Sequence, residues 1–587
     1  MNSLVLQRQL TSLRSALLLG LILSACRDAS EHEPRPLSET PTEIDDDSDQ
    51  PIRLSYVCGN RFVVVNSSDV PLSLAWRVAQ TGEAGETNIP AADTTLHPAA
   101  SERVVETRST GALELYLGDR RIRTRSNQGI PCAPTEDLSG ALATATSAES
   151  GAWGPVLSWP IVAVHMSVLP NGKVLAWGSK ESGTPQVWNP ATNVFTPYPS
   201  PALLFCAGHS FLADGRLLVI GGHIKGDHGL PDVTAFNQST GWLSLPKMPR
   251  GRWYPTATTM ANGEVLALAG LDQLAKQVTV PELWNPSTGL RSLTGASLEL
   301  PYYPISFLAP NGKLFVAGEQ QMSRYLDVTG TGKWTNAGLR TYGTRDQGSA
   351  VMYGEGRVLY AGGGRTTNTA ETVNLKRSPI QWVRTGSMAF ARRHHNLTVL
   401  PTGDVLATGG SAGTAFNDLT QIVRAAEIWN QTTGVWTTMA SSSVDRAYHS
   451  VAVLMPDGRV LQAGGGAAGA VAPNQPNAQY YSPPYLFRGP RPVISSVSSS
   501  LRFGQSFRIT TAQASRIAKV TLVRTGSVTH GFDMNQRFRQ FFTFTRDATG
   551  LTMPGITNRN LTPPGYYILF IVDTNGVPSV GKIVKVS

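Results

Sequence analysis

The sequence predicts an all-β protein built around a seven-bladed β-propeller, with a β-sandwich after it and a small β domain ahead of it. Three observations carry that prediction. Gly 57 and Pro 39 punctuate a 587-residue chain that holds no long charged, Ala- and Leu-rich helical pattern. An apolar strand, a turn ending in Gly, a second apolar strand and a terminal Gly recur seven times between residues 155 and 466. Past residue 488 this unit stops, and strand patterns of a different spacing fill about 100 residues to the end.

From the N-terminus, Arg8 and Arg14 precede a short apolar run, "ALLLGLIL", that leads into "LSAC". Residues 1–26 therefore read as an export signal with a lipobox-like end, too short to span a membrane comfortably as a mature helix. Cys26 is the expected lipid anchor of a bacterial-type lipoprotein at the cell envelope, with a plain cleaved signal as the alternative. Residues 27–50 are acidic and Pro-containing and read as a disordered tether. Residues 51–133 carry short β runs such as "RFVVVN" and "LELYL" between Cys58 and Cys132. A Cys58–Cys132 disulfide is the economical pairing in an oxidising compartment, and closing a loop of that length adds on the order of 4 kcal/mol. Residues 134–153 form a small-residue linker.

Residues 154–488 hold the repeat, in copies such as "VLPNGKVLAWG", "FLADGRLLVIGG" and "VLMPDGRVLQAGGG". Asn-Gly and Asp-Gly tolerate positive φ and mark hairpin turns. Outer-strand segments such as "LWNPSTGLR" lie between copies, so each unit has four strands at a spacing of about 45 residues, the kelch-type pattern. Residues 489–587 read as an immunoglobulin-like sandwich. The formal net charge is +9, but Lys and Arg form no run. A solvated basic surface is expected and a nucleic-acid partner is not.

The turn glycine also works as a ruler. Nine residues ahead of it stand Cys206, Tyr254, Tyr303, Gln347, His394 and His449, with Ala163 in the first copy. Equivalent positions of the innermost strands surround one axis, so these residues should ring one end of the channel. Taken singly, each has a structural reading: a His starting a strand packs blades, and a lone Cys is a small buried hydrophobe. Six in one register point instead to a polar site. Imidazole and phenol donors suit Cu(II). Tyr448, one residue off the register, would approach from a different direction than His449.

These motifs resemble those of the copper radical oxidases, the galactose oxidase and glyoxal oxidase family, over residues 155–587. The resemblance implies that Cys206 in "LFCAGHSF" and Tyr254 in "RWYPTATT" form a self-processed thioether-linked radical cofactor. It implies one copper ion held by Tyr254, Tyr448 and His449 of "RAYHSVAV", and His530 of "VTHGFDMNQR", the last on a hairpin threading up the axis. Tyr448 is the implied axial ligand and base, and dioxygen the acceptor that leaves as hydrogen peroxide. No organic cofactor is then needed, in keeping with the lack of a dinucleotide fingerprint. Residues after each terminal Gly should line the mouth. Asp272 matches the place of a Trp stacked on the crosslink, Phe416 matches an aromatic substrate-side residue, His394 replaces another, and Tyr303 joins them. "RWYP" and "YYSPPYL" look more like glyoxal oxidases, which implies a small aldehyde or primary alcohol rather than galactose. A monomer is expected, with the N-terminal domain touching wall polymer or glycan and the membrane reached only through the lipid. The competing readings are a kelch-type glycan-binding protein with a vestigial site, and a copper protein confined to electron transfer.

Overall fold

The computed structural model describes strands within residues 52–125, then residues 147–466 and 473–587. Cys26 and Cys132 lie outside the described residues, as does the side chain of Cys58, so the lipid anchor and the disulfide do too. No helix among the described residues is long and apolar enough to cross a membrane.

Seven antiparallel blades follow one another along the chain, five of them four-stranded sheets, the first part of a six-stranded sheet and the last part of a five-stranded one. Their innermost strands are His165–Val168, Gly208–Phe211, Thr256–Thr259, Ser306–Leu308, Ser349–Gly354, Asn396–Val399 and Ser450–Leu454, in blades I to VII. Each pairs with the next strand through a tight hairpin, and all seven turn glycines have φ between 70° and 97°, a region that penalises a Cβ. The inner strands are buried on both faces because blades cover both, and their buried polar side chains, such as Ser210 with Thr259 and Thr258 with Ser306, hydrogen-bond between neighbouring blades. Blade VII takes its outermost strand from the start of the propeller: Tyr481 pairs with Trp153 and Ser482 with Ala152. That pairing ties the two ends of the propeller together, so the ring closes and only the short outer strands of the blades remain as edges.

A buried ion pair recurs at the blade entries. Arg252, Arg345 and Arg392 reach Glu282, Glu371 and Glu427 on the third strands at 2.9, 2.9 and 2.7 Å. Each arginine also donates to the carbonyl at the end of the second strand: Ala269, Gly362 and Gly409. Arg446 of blade VII makes the same bond to Gly464 but meets Asn477 in place of a glutamate. Removing one partner of such a pair strands a charge where water cannot reach it. Glu427→Gln is therefore expected to lower the unfolding free energy by roughly 3–5 kcal/mol, measured by chemical denaturation; a loss below about 1 kcal/mol, the scale of an exposed pair, would contradict the assignment.

The C-terminal unit packs a four-stranded sheet on a five-stranded one around Ile509, Leu522, Leu551, Leu569 and Val584. Its hairpin Ser527–Thr529 and Phe532–Asp533 leaves the sandwich and joins blade I, with His165 opposite Thr529 and Ser167 opposite Ser527. The two turn residues, His530 and Gly531, have φ of 51° and 74°. Paired positive φ is the type I′ pattern, usually filled by Asn, Asp or Gly; a histidine there is a costly choice. Asp533 ties the hairpin's base by accepting from the amides of Ser527, Asn535 and Gln536. The N-terminal strands form a three-stranded and a four-stranded sheet with Phe62, Val64, Leu74 and Leu115 between them.

Candidate active site

The six residues of the ring register share one backbone state. Cys206, Tyr254, Tyr303, Gln347, His394 and His449 all have φ between 45° and 67°. Such a conformation costs a non-glycine residue on the order of 1 kcal/mol or more, and its clustering marks a functional site. Neighbouring blades are laced together there: the amide of Tyr254 donates to the carbonyl of Cys206, Tyr303 to Tyr254 and His394 to Gln347, each at 2.9 Å.

At the mouth of the ring four donor side chains converge. Tyr254 Oη lies 2.6 Å from Tyr448 Oη, and His530 Nε2 lies 3.0 Å from Tyr254 Oη. The rings of His449 and His530 stand perpendicular at 4.5 Å between centroids, and Tyr448 stacks on His449 at 3.8 Å. His449 Nδ1 donates to the carbonyl of Gly466 at 2.6 Å, so its Nε2 carries no proton. That Nε2 is buried and has no hydrogen-bond partner. On His530 the same logic holds: Thr529 Oγ1 spends its hydrogen on the carbonyl of Val164 and so accepts from His530 Nδ1 at 2.7 Å, leaving Nε2 bare.

Burial pushes His449 down to about 3 and His530 well below the usual imidazole range, so both stay neutral with a lone pair to offer. Burial likewise pushes Tyr254 well above the usual phenol value, with Cys206 and Tyr448 adding to it, and pushes Tyr448 up. A cation binding here must displace phenolic protons. No group of three His, Cys, Asp or Glu that could hold a metal occurs among the described residues. The candidate donors are instead two imidazoles and two phenols, an orphaned buried nitrogen among them, and this set fits Cu(II).

Cys206 is a free, buried thiol in contact with the side chains of Tyr254 and Trp253. Burial raises its pKa well above the usual thiol value. The Tyr254 ring is sandwiched: Trp253 stacks on it at 3.8 Å and 8°, and Tyr303 at 4.6 Å and 26°. Beside it opens a cavity of about 190 Å³, lined by Tyr448, Tyr303, Phe416, Glu319 and Gln347 among others.

Two expectations for the mouth need correction. Asp272 does not line this cavity. Its carboxylate is held by Arg250 at 2.6 Å and by the amides of Leu274 and Lys276, so it braces the loop before Trp253. Those bonds hold it below the usual carboxylate value despite burial. The indole over Tyr254 comes from Trp253, the adjacent residue in "RWYP". His394 does not line the cavity either. Its Nε2–H donates to the carbonyl of Phe416 and its ring packs edge-on behind Tyr448 at 5.1 Å.

Comparison with known proteins gives the same picture. The model for the galactose oxidase-like, Early set domain matches residues 491–586. A galactose oxidase of Gibberella zeae is 28% identical over 494 residues, covering 76% of this chain and 72% of its own. An aldehyde oxidase GLOX of Vitis pseudoreticulata is 28% identical over 468 residues, covering 67% and 84%. A fungal alcohol oxidase of the AA5 family, solved in complex with copper, superimposes with a TM-score of 0.69 at 27% identity, covering 75% of this chain and all of its own, 100%. The chain is similar to the copper radical oxidases in its motifs, its sequence and its fold. It is a copper-dependent oxidase.

Trp253, Glu319 and Gln347 are among the cavity's wall residues that the sequence motifs left without a substrate-side role. Gln347 stood in the ring register, Trp253 stood inside a quoted motif, and Glu319 directly follows the terminal Gly318 of the blade IV hairpin. The rule that residues after each terminal Gly face the mouth points to Glu319, and fails at Asp272 because that loop folds back through the Leu271–Gln277 bridge.

Proposed function

We propose that this chain is an exported copper radical oxidase that converts a small aldehyde or primary alcohol to the next oxidation level and passes the electrons to dioxygen, releasing hydrogen peroxide. The observation that carries the reading is the convergence of two bare imidazole nitrogens, one of them an orphan, on a pair of phenols 2.6 Å apart. Tyr254, Tyr448, His449 and His530 would hold the copper. Bound copper supplies a one-electron acceptor and a Lewis-acid site for the substrate oxygen.

The chain's own groups account for the rest. Tyr448 Oη, at the cavity wall and hydrogen-bonded to Tyr254, takes the proton of the substrate hydroxyl. Tyr254, linked through its ring to Cys206, takes the hydrogen atom from carbon. The link itself replaces one S–H and one ring C–H with an S–C bond, and dioxygen takes up the two hydrogens. Trp253 and Tyr303 cover both faces of the Tyr254 ring, which shields an oxidised ring from solvent. The Cys26 anchor, the Cys58–Cys132 disulfide and wall or glycan contact by the N-terminal domain belong to the same proposal, on the sequence alone.

Peroxide release by copper-loaded protein with a panel of aldehydes and primary alcohols tests it. Peroxide stoichiometric with substrate is expected from at least one member. Bound copper without peroxide from any member would favour electron transfer, and no copper retention would favour a glycan-binding protein.

A further inference from the structure

The cavity has an aromatic wall, on which Trp253, Tyr302 and Phe416 lie, and a polar wall that the reaction as described does not use. Glu319 and Gln347 line that polar wall. Among the described residues, neither side chain has a hydrogen bond or ion pair, although both face a space of about 190 Å³. The charged groups around Glu319 form no ion pair with it, although Arg340 keeps two buried guanidinium nitrogens, Nε and Nη1, without a hydrogen-bond partner among the described residues. Asp346 is held by Arg393 at 2.7 Å. Arg340, buried, lies over the ring of Tyr360 at 4.4 Å and donates to the carbonyl of Gln320. Glu319 thus stands in a small cavity as a half-buried carboxyl with nothing to bond but what enters.

We propose that Glu319, with Gln347, selects neutral substrates carrying a second oxygen beyond the carbon being oxidised and turns away substrates that carry a carboxylate. A hydroxyl or carbonyl reaching this wall meets both a donor and acceptors, whereas an alkyl end displaces water from two half-buried polar groups and leaves them unpaired. A carboxylate meets a like charge in a site of low dielectric. Burial, and next the charge of Asp346, push Glu319 up to about 7, against the pull of Arg340 and Arg393. The carboxyl therefore both donates and accepts near neutrality. The selection rests on the oxidase reading of the adjoining site.

Three primary alcohols of similar size separate the outcomes: 1,3-propanediol, 1-butanol and 3-hydroxypropanoate. For each, kcat/KM is measured with copper-loaded wild type, Glu319→Gln and Glu319→Leu, and binding is followed in parallel by quenching of Trp253 fluorescence, with Trp253→Phe as the blank. Wild type is expected to prefer the diol over butanol, and Glu319→Leu to lower that preference by at least about tenfold. Glu319→Gln is expected to keep the diol preference and, at about pH 9 where the Glu319 carboxyl is ionised, to raise 3-hydroxypropanoate relative to the diol by at least about tenfold, with little change at about pH 6. Ratios within about twofold of wild type in both variants, against that tenfold scale, overturn the proposal while peroxide release leaves the oxidase reading standing. Selective quenching that is lost in Glu319→Leu, without peroxide from any substrate, supports the wall and contradicts the oxidase reading.

Discussion

A Tyr254→Phe variant is expected to fold, to bind copper more weakly, and to lose peroxide production by at least about a thousandfold, the scale on which removing one member of a concerted catalytic group acts. Its oxygen hydrogen-bonds Tyr448 Oη and His530 Nε2 at the site, so little packing is lost with it. The ring itself stays between Trp253 and Tyr303. What disappears is the phenol that would both ligate the metal and carry the unpaired electron. Thermal unfolding within a few degrees of wild type, beside abolished peroxide, is the expected pair of results. Activity within tenfold of wild type would remove Tyr254 from the chemistry.

The second large effect concerns metal retention. His449→Ala removes one of two imidazoles from the donor set and leaves the Gly466 carbonyl without its donor. Changes to the partners of metal ligands alone cost about 10–100-fold in affinity, so loss of the ligand should weaken copper by at least about a hundredfold on that scale. Copper content after dialysis against a competing chelator reads it directly. The fold should lose about 1–3 kcal/mol through the unpaired Gly466 carbonyl and further stability through the lost ring contacts, so copper is counted per folded molecule. Full copper retention with unchanged spectra would show that His449 Nε2 is not a ligand.

Much of the architecture is legible because the repeat carries its own ruler. Each hairpin needs a positive-φ glycine at its turn, and a fixed count back from that glycine reaches the same place in every blade. Cys206 and Tyr254, in blades II and III, enter the site by that count, and His449 by the same count in blade VII. The left-handed backbone these residues share is not legible, since nothing in the identity of Tyr or His announces it. The closing strand is illegible for another reason: Ala152–Trp153 is two residues long and pairs with a strand at Tyr481, with no local signal at either end. Side-chain direction at the mouth is the third gap. Loops after the terminal glycines differ in length and folding, so one rule places Glu319 on the wall and misplaces Asp272, whose carboxylate finds Arg250 and two amides first. His394 shows the same limit, because its carbonyl partner at Phe416 turns it behind Tyr448 rather than toward the cavity.

The central claim is that Cys206 and Tyr254 become one redox cofactor. Mass spectrometry of a digest, after copper loading in air and full chemical reduction, tests it most directly, since reduction opens a disulfide and leaves a thioether intact. The account predicts a linked peptide pair containing Cys206 and Tyr254, lighter by two hydrogen atoms than the separate peptides and absent from Cys206→Ser. Recovery of both peptides unlinked and at full mass from copper-bearing protein would contradict it.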